Sequence, residues 1–341
     1  MGDTDKTLEW GTARTMMVFI LITMVSLFFF GGIGMTFVKS TFGLESTSGM
    51  RWLQFSISIG LFLMPPLLFA QHASSTPAAF LGLNKLPTYS SAPHSRKNAK
   101  NLPPKYFTFL ALLMVAVGSF FAIDLLSHIN HMLPDYSWTE ALIAQEEQMT
   151  DTLAKLLSQM TLSALAANVV VMVLIPAFGE ELFFRGVLQK VFHSNFGAPT
   201  AVVVSALCFA FAHQQPLSML PIFFMGLTFG YVRIWTGSLW APILLHAVNN
   251  GFALGSAYFN NGVLQDTSVV AGSWISSLGL IPCILGLLWL RNIYKAQRIK
   301  INQSDQFGLR PRTLNGIPFD IQPRPAFVPK RSIGSSFLSR F

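Results

Sequence analysis

Long apolar runs separated by short polar stretches set the pattern of this chain. A membrane span needs ~20 mostly apolar residues, and eight runs qualify or nearly so: 15–38, 53–70, 106–128, 161–178 with an extension, 199–213, 217–235, 239–257 and 269–290. The fifth is the shortest. Between the third and fourth, "LPDYSWTEALIAQEEQMTDTLAKLLSQM" is polar and acidic with apolar residues at helical spacing, which predicts an amphipathic helix leading into the fourth span. The segment 71–105, rich in Pro, Ser and Lys, reads as a loop. The pattern predicts an all-α, polytopic transmembrane helix bundle of about eight spans. Residues 1–160 hold N-terminal spans and loops, 161–257 a core, 258–290 the last span, and 291–341 a basic, loosely ordered tail.

Composition agrees. The chain is 341 residues long, 52% hydrophobic and 11% charged, with a net charge of +8, where soluble domains carry about a quarter charged residues. The positive charge sits beside the spans, ten Lys or Arg after Leu290 and five between Gln71 and Tyr106. That is a topology signal and argues against a nucleic-acid partner. Counted loop by loop, it places both termini in the cytoplasm of a multi-pass protein of the cell (inner) membrane, whose surroundings are membrane lipids. The N-terminal apolar run follows acidic residues and lacks a small-x-small cleavage site, so it reads as a retained first span. Cys208 and Cys283 lie inside apolar runs and form no metal or redox pattern. Nothing in the pattern sets an oligomeric state.

Charge inside a span costs ~2.5–3.5 kcal/mol on insertion scales and marks functional sites. Three places stand out: Glu180, Glu181 and Arg185 in "GEELFFRG", His213 ending "SALCFAFAH", and His246 with Asn249 and Asn250 in "LLHAVNNG". Glu181 and Arg185 are four apart and can pair, which leaves Glu180, about 100° around the helix, for something else. Ser205, Phe209 and His213 repeat the same step, as do His246 and Asn250. With a turn near Asn195 to Gly197, Glu180 and His213 fall at nearly equal depth, ~24 Å from that turn, and His246 and Asn250 reach the same level. The four converge on one buried cavity. Asp124 reads as interfacial, and His72, His94, His128, His131 and His193 as bystanders. "GLTFG" and "GFALG" fit the small-xxx-small pattern of close helix packing.

A carboxylate beside a histidine activates water, and a histidine with an asparagine amide one turn away offers donors to an oxyanion. No G-x-S-x-G motif is present, so hydrolysis by water fits best. The motifs "EELFFR", "FAFAH" and "HAVNN" resemble the EExxxR, FxxxH and HxxxN patterns of the CAAX prenyl protease and bacteriocin-processing family, also called Abi or CPBP, over residues 160 to 257. The resemblance implies an intramembrane endopeptidase, a hydrolase acting on a peptide or membrane-protein substrate. Glu180 and His213 would activate water, His246 and Asn250 would form the oxyanion hole, and Glu181, Arg185 and Phe209 would support them. The family has been called both metalloprotease and glutamate-dependent protease. If zinc were bound, Glu180, His213 and His246 would be its ligands, but there is no HExxH and the reading without a metal is preferred. The alternative is a non-catalytic transporter, scaffold or immunity protein that uses these polar groups for packing or ions. The topology opens the cavity outward, whereas prenyl proteases of this family act on cytosolic substrates.

Overall fold

A computed structural model describes residues 11–84, 105–131, 140–159, 161–259 and 273–306. Ten helices carry these residues, and no strand occurs among them. They are α1 (Thr12–Thr41), α2 (Thr47–Ala73), the short α3 (Pro77–Leu81), α4 (Lys105–His131), α5 (Glu140–Leu157), α6 (Leu162–Phe196), α7 (Ala198–Ala212), α8 (Met219–Thr236), α9 (Trp240–Phe259) and α10 (Ser273–Gln306).

Six of them, α1, α2, α4, α6, α8 and the 276–295 part of α10, are long and apolar enough to cross a membrane. The shorter apolar α7 and the 20-residue α9 bring the set to the eight expected spans. The outer surface is what lipid requires, with Phe28, Phe211 and Phe259 more than half exposed. Backbone groups in hydrocarbon must bond within their own segment, and helices alone meet that need here.

The expected amphipathic segment is α5. Its start is tied to the loop after α7, where Gln145 Nε2 donates to Gln214 O at 3.0 Å and Ser218 Oγ donates to Glu146. Its end is held by Arg51 of α2, which donates to Leu156 O at 3.0 Å and to Asn168 Oδ1 of α6 at 2.8 Å.

Two expectations are corrected. The last helix does not stop at Leu290 but runs to Gln306, so the first part of the basic tail is helical. Its leading turns continue a helix already held against α4, where a Cβ on Gly118 would meet Cys283 N at 2.3 Å. The rest of the tail, 307–341, most of the 71–105 loop and His94 lie outside the described residues. The second correction concerns "GFALG". A Cβ on Gly255 meets nothing within 4 Å and one on Gly251 only Val173 at 3.9 Å, so this motif packs no helix closely. Asp124 accepts a hydrogen bond from Ser276 Oγ and ties α4 to α10.

Candidate active site

The centre is built on α6, whose expected extension beyond Phe178 runs to Phe196 and which widens into π-type turns at Val169–Leu174 and Leu182–Leu188. Such turns recur at functional sites. Gly197, at φ 82°, reverses the chain into α7. That places the turn where the sequence predicts it and brings His213, the residue just after α7, alongside Glu180.

Glu180 Oε2 faces His213 Nε2 at 3.8 Å and His246 Nε2 at 3.9 Å. The side chain of Glu180 is 13% exposed and that of His213 27%, while His246 is 2% exposed. The site therefore opens on the His213 side. Glu180 Oε2 is buried and makes no hydrogen bond. His213 Nδ1 lies 2.8 Å from Phe209 O. A carbonyl only accepts, so Nδ1 carries the hydrogen and Nε2 of the neutral ring offers a lone pair toward Glu180.

Glu181 turns the other way. Its Oε1 accepts from Arg185 NH1 at 2.7 Å and lies 3.1 Å from His246 Nδ1, and both charged residues are buried. Arg185 is enclosed by the rings of Phe209 at 4.3 Å, Phe229 at 5.4 Å and Phe184 at 5.9 Å. Its NH2 donates to Gly226 O at 3.2 Å. The expected pairing of Glu181 with Arg185 is thus present, and the pair also holds His246. Ser205, on the face shared with Phe209 and His213, donates to Phe184 O at 3.1 Å. Asn250 spends one amide hydrogen on Met172 O at 3.3 Å; its amide has a second.

Three contributors escaped the sequence reading. Phe229 stacks on His246 with centroids 5.3 Å apart, yet it sits inside "GLTFG" with no local mark of that role. The carbonyl of Gly226 is invisible in a side-chain pattern. Gln189 donates to Gly230 O at 3.0 Å and did carry a signal, since it continues the four-residue step from Glu181 and Arg185.

The set named for zinc does not close into a ligand sphere. Both imidazole-to-carboxylate separations exceed the ~3.3–3.4 Å between donors on a tetrahedral zinc with bonds of ~2.0–2.1 Å. Among the described residues, no three of His, Cys, Asp or Glu are placed to hold a metal ion.

Fold and site together define an integral, multi-pass membrane protein built around a buried carboxylate–imidazole centre. The segment that builds this centre has known kin: residues 162–252 match the model of the type II CAAX prenyl endopeptidase Rce1-like family. Over 85 residues the chain is 32% identical to the membrane-embedded CAAX protease MroQ of Staphylococcus aureus (strain USA300), covering 23% of this chain and 34% of that protein. It is 27% identical over 99 residues to an uncharacterized 24.3 kDa protein of Escherichia coli, covering 28% of this chain and 46% of that one. The matches thus span between a third and a half of the length of these relatives. No solved structure matches at comparable strength. The resemblance read from "EELFFR", "FAFAH" and "HAVNN" is borne out over this segment.

Proposed function

We propose that the protein is an intramembrane endopeptidase that hydrolyses a peptide bond near the membrane, with water activated by Glu180 and His213. The observation that carries the reading is Glu180 itself. A buried carboxylate oxygen without a hydrogen-bond partner, faced by two imidazole nitrogens, is costly to keep in an apolar interior. It is positioned to act on a molecule that enters.

Water seated beside Glu180 and His213 donates one hydrogen to Glu180 Oε2 and the other toward His213 Nε2. As its oxygen bonds to the scissile carbonyl carbon, its proton passes to Glu180 and the carbonyl electrons move onto oxygen. That oxyanion accepts from the Nε2–H of His246 and the second amide hydrogen of Asn250. His246 acts there in its doubly protonated form, because its Nδ1 hydrogen is committed to Glu181. Collapse of the intermediate breaks the C–N bond, and the proton on Glu180 goes to the leaving nitrogen.

The test is cleavage of quenched peptides, prenylated and plain, by detergent-purified protein. The name of the staphylococcal relative supports offering both kinds. Glu180→Gln is expected to lower kcat roughly 10²–10⁴-fold, the range of a lost general base, with an unchanged unfolding temperature. Cleavage undiminished in Glu180→Gln would sink the assignment. Loss of activity under chelation, restored by zinc, would replace this mechanism with a metal-dependent one.

A further inference from the structure

Arg233 takes no part in the chemistry above, yet it is a charged side chain only 5% exposed in the last turn of α8. Its Nε is buried with no hydrogen-bond partner, and no carboxylate pairs with it among the described residues. The negative end of the helix dipole offsets only a small part of the cost of burying an unpaired ion. Arg185, at comparable burial, has a carboxylate, a carbonyl and aromatic rings around it. Among the described residues, Arg233 has no such carboxylate.

What surrounds Arg233 is basic. Its guanidinium lies against the backbone of Gly82, which has φ +82° and whose Cβ would sit 2.4 Å from NH2. A side chain at that position would displace the guanidinium. His193 of α6 is within electrostatic reach. Lys190, one turn earlier, donates to Phe80 O at 3.2 Å and lies over the Phe80 ring. Lys190 and Arg233 therefore meet at the Phe80–Gly82 turn, with His193 within reach of Arg233. That turn is fastened to the start of α9, because Leu239 N donates to Gly82 O at 3.0 Å and Trp240 Nε1 to Leu83 O at 2.8 Å.

The depth is also informative. Tyr231 and Trp235 stack at 5.1 Å on the same helix end, and Trp240, 38% exposed, opens the helix that follows. Aromatic residues of this kind gather at the level of the head groups, where lipid phosphates lie, and basic pockets between spans bind anionic head groups. We infer that Arg233, with His193 and Lys190, forms a binding site for a phosphate group, supplied by the head group of an anionic membrane lipid. The inference stands apart from the hydrolytic reading and does not require it.

Native mass spectrometry of the full chain, released from detergent after incubation with phosphatidylglycerol, tests it. Wild type is expected to retain the lipid. Arg233→Gln should lower retention about tenfold, equivalent to ~1.4 kcal/mol, whereas Arg233→Lys keeps most of it. Lys190→Gln, at a partly exposed position, should lower retention to a smaller degree and covers the case in which Arg233→Gln fails to fold. Equal retention by wild type, Arg233→Gln and Lys190→Gln would overturn the site. Displacement of the lipid by millimolar inorganic phosphate would overturn the lipid as its source in favour of free phosphate.

Discussion

Glu181 meets two demands with a single oxygen. Its Oε1 serves Arg185 and His246 together, while its Oε2 is buried without a partner. Breaking a buried ion pair by removing one partner leaves an uncompensated charge, at a cost of ~3–5 kcal/mol. Arg185→Leu should therefore lower the unfolding temperature in detergent sharply. Adding Glu181→Leu should recover much of the loss, since replacing a whole buried pair by apolar groups is close to neutral. Cleavage should not recover, because the double variant leaves His246 Nδ1 without its acceptor. If activity returned together with stability, Glu181 would be a clamp and nothing more. The contrast with Glu180 is instructive. Two adjacent glutamates, identical in chemistry, are separated in role by the 100° step between neighbouring helix positions. One is spent on Arg185 and His246, and the other is left facing two imidazoles.

At the scale of elements, the two small-xxx-small motifs part company. A Cβ on Gly226 would meet Ala206 Cβ at 2.8 Å and its Cα at 2.9 Å, whereas one on Gly255 meets nothing. Gly226→Ala must push α8 from α7 and pull the Gly226 carbonyl from Arg185, for ~1–3 kcal/mol of overpacking. Gly255→Ala should change stability by no more than ~0.5 kcal/mol. Thermal unfolding of the two variants side by side checks this, and equal effects would contradict the packing described. The tether at Arg51 gives a second expectation. Arg51→Ala should speed amide hydrogen exchange across Glu140–Leu157 while leaving α4 and α10 protected, because α5 loses the bond that holds its end. The helices themselves were legible in the sequence because lipid imposes one rule along each apolar run, and His213 and Glu180 were legible because a tight turn between two unbroken helices fixes relative depth. The rest depended on long-range contact. "GLTFG" and "GFALG" look alike as strings, and only the neighbour across the interface separates them. Phe229 reaches His246 from another helix, and the π-type turns of α6 follow no residue signature in this chain. The end of α10 was misplaced because a basic, Pro-containing tail reads as irregular, although its first turns extend a helix already packed on α4.

At the scale of the whole molecule, charge divides the bundle into two ends. The end that carries the α6–α7 turn also carries Arg14, Lys190, Arg233 and, on α10 just past the Leu290 that packs with Val232, Arg291 and Lys295. The opposite end carries Lys39, Arg51 and Lys155 together with Glu45 and the acidic face of α5, Glu140, Glu147 and Asp151. Lys and Arg concentrate on the cytoplasmic side of a membrane, so we propose that the α6–α7 turn faces the cytoplasm and that the His213 mouth, with α5 across it, faces outward. A phosphate site at Arg233 would then draw on the anionic lipids of the inner leaflet. Labelling of single cysteines in intact cells decides the matter, in a background with Cys208 and Cys283 replaced by alanine. Gln148→Cys on the exposed face of α5 should react with a membrane-impermeant maleimide, and Asn195→Cys at the turn only after permeabilisation. The reverse pattern would turn the mouth toward the cytoplasm, where prenyl proteases find their substrates, and the small charge bias of the later spans would have been outweighed. With the expected pattern, water and substrate reach Glu180 from outside, and the peptides worth offering are exported or membrane-anchored chains.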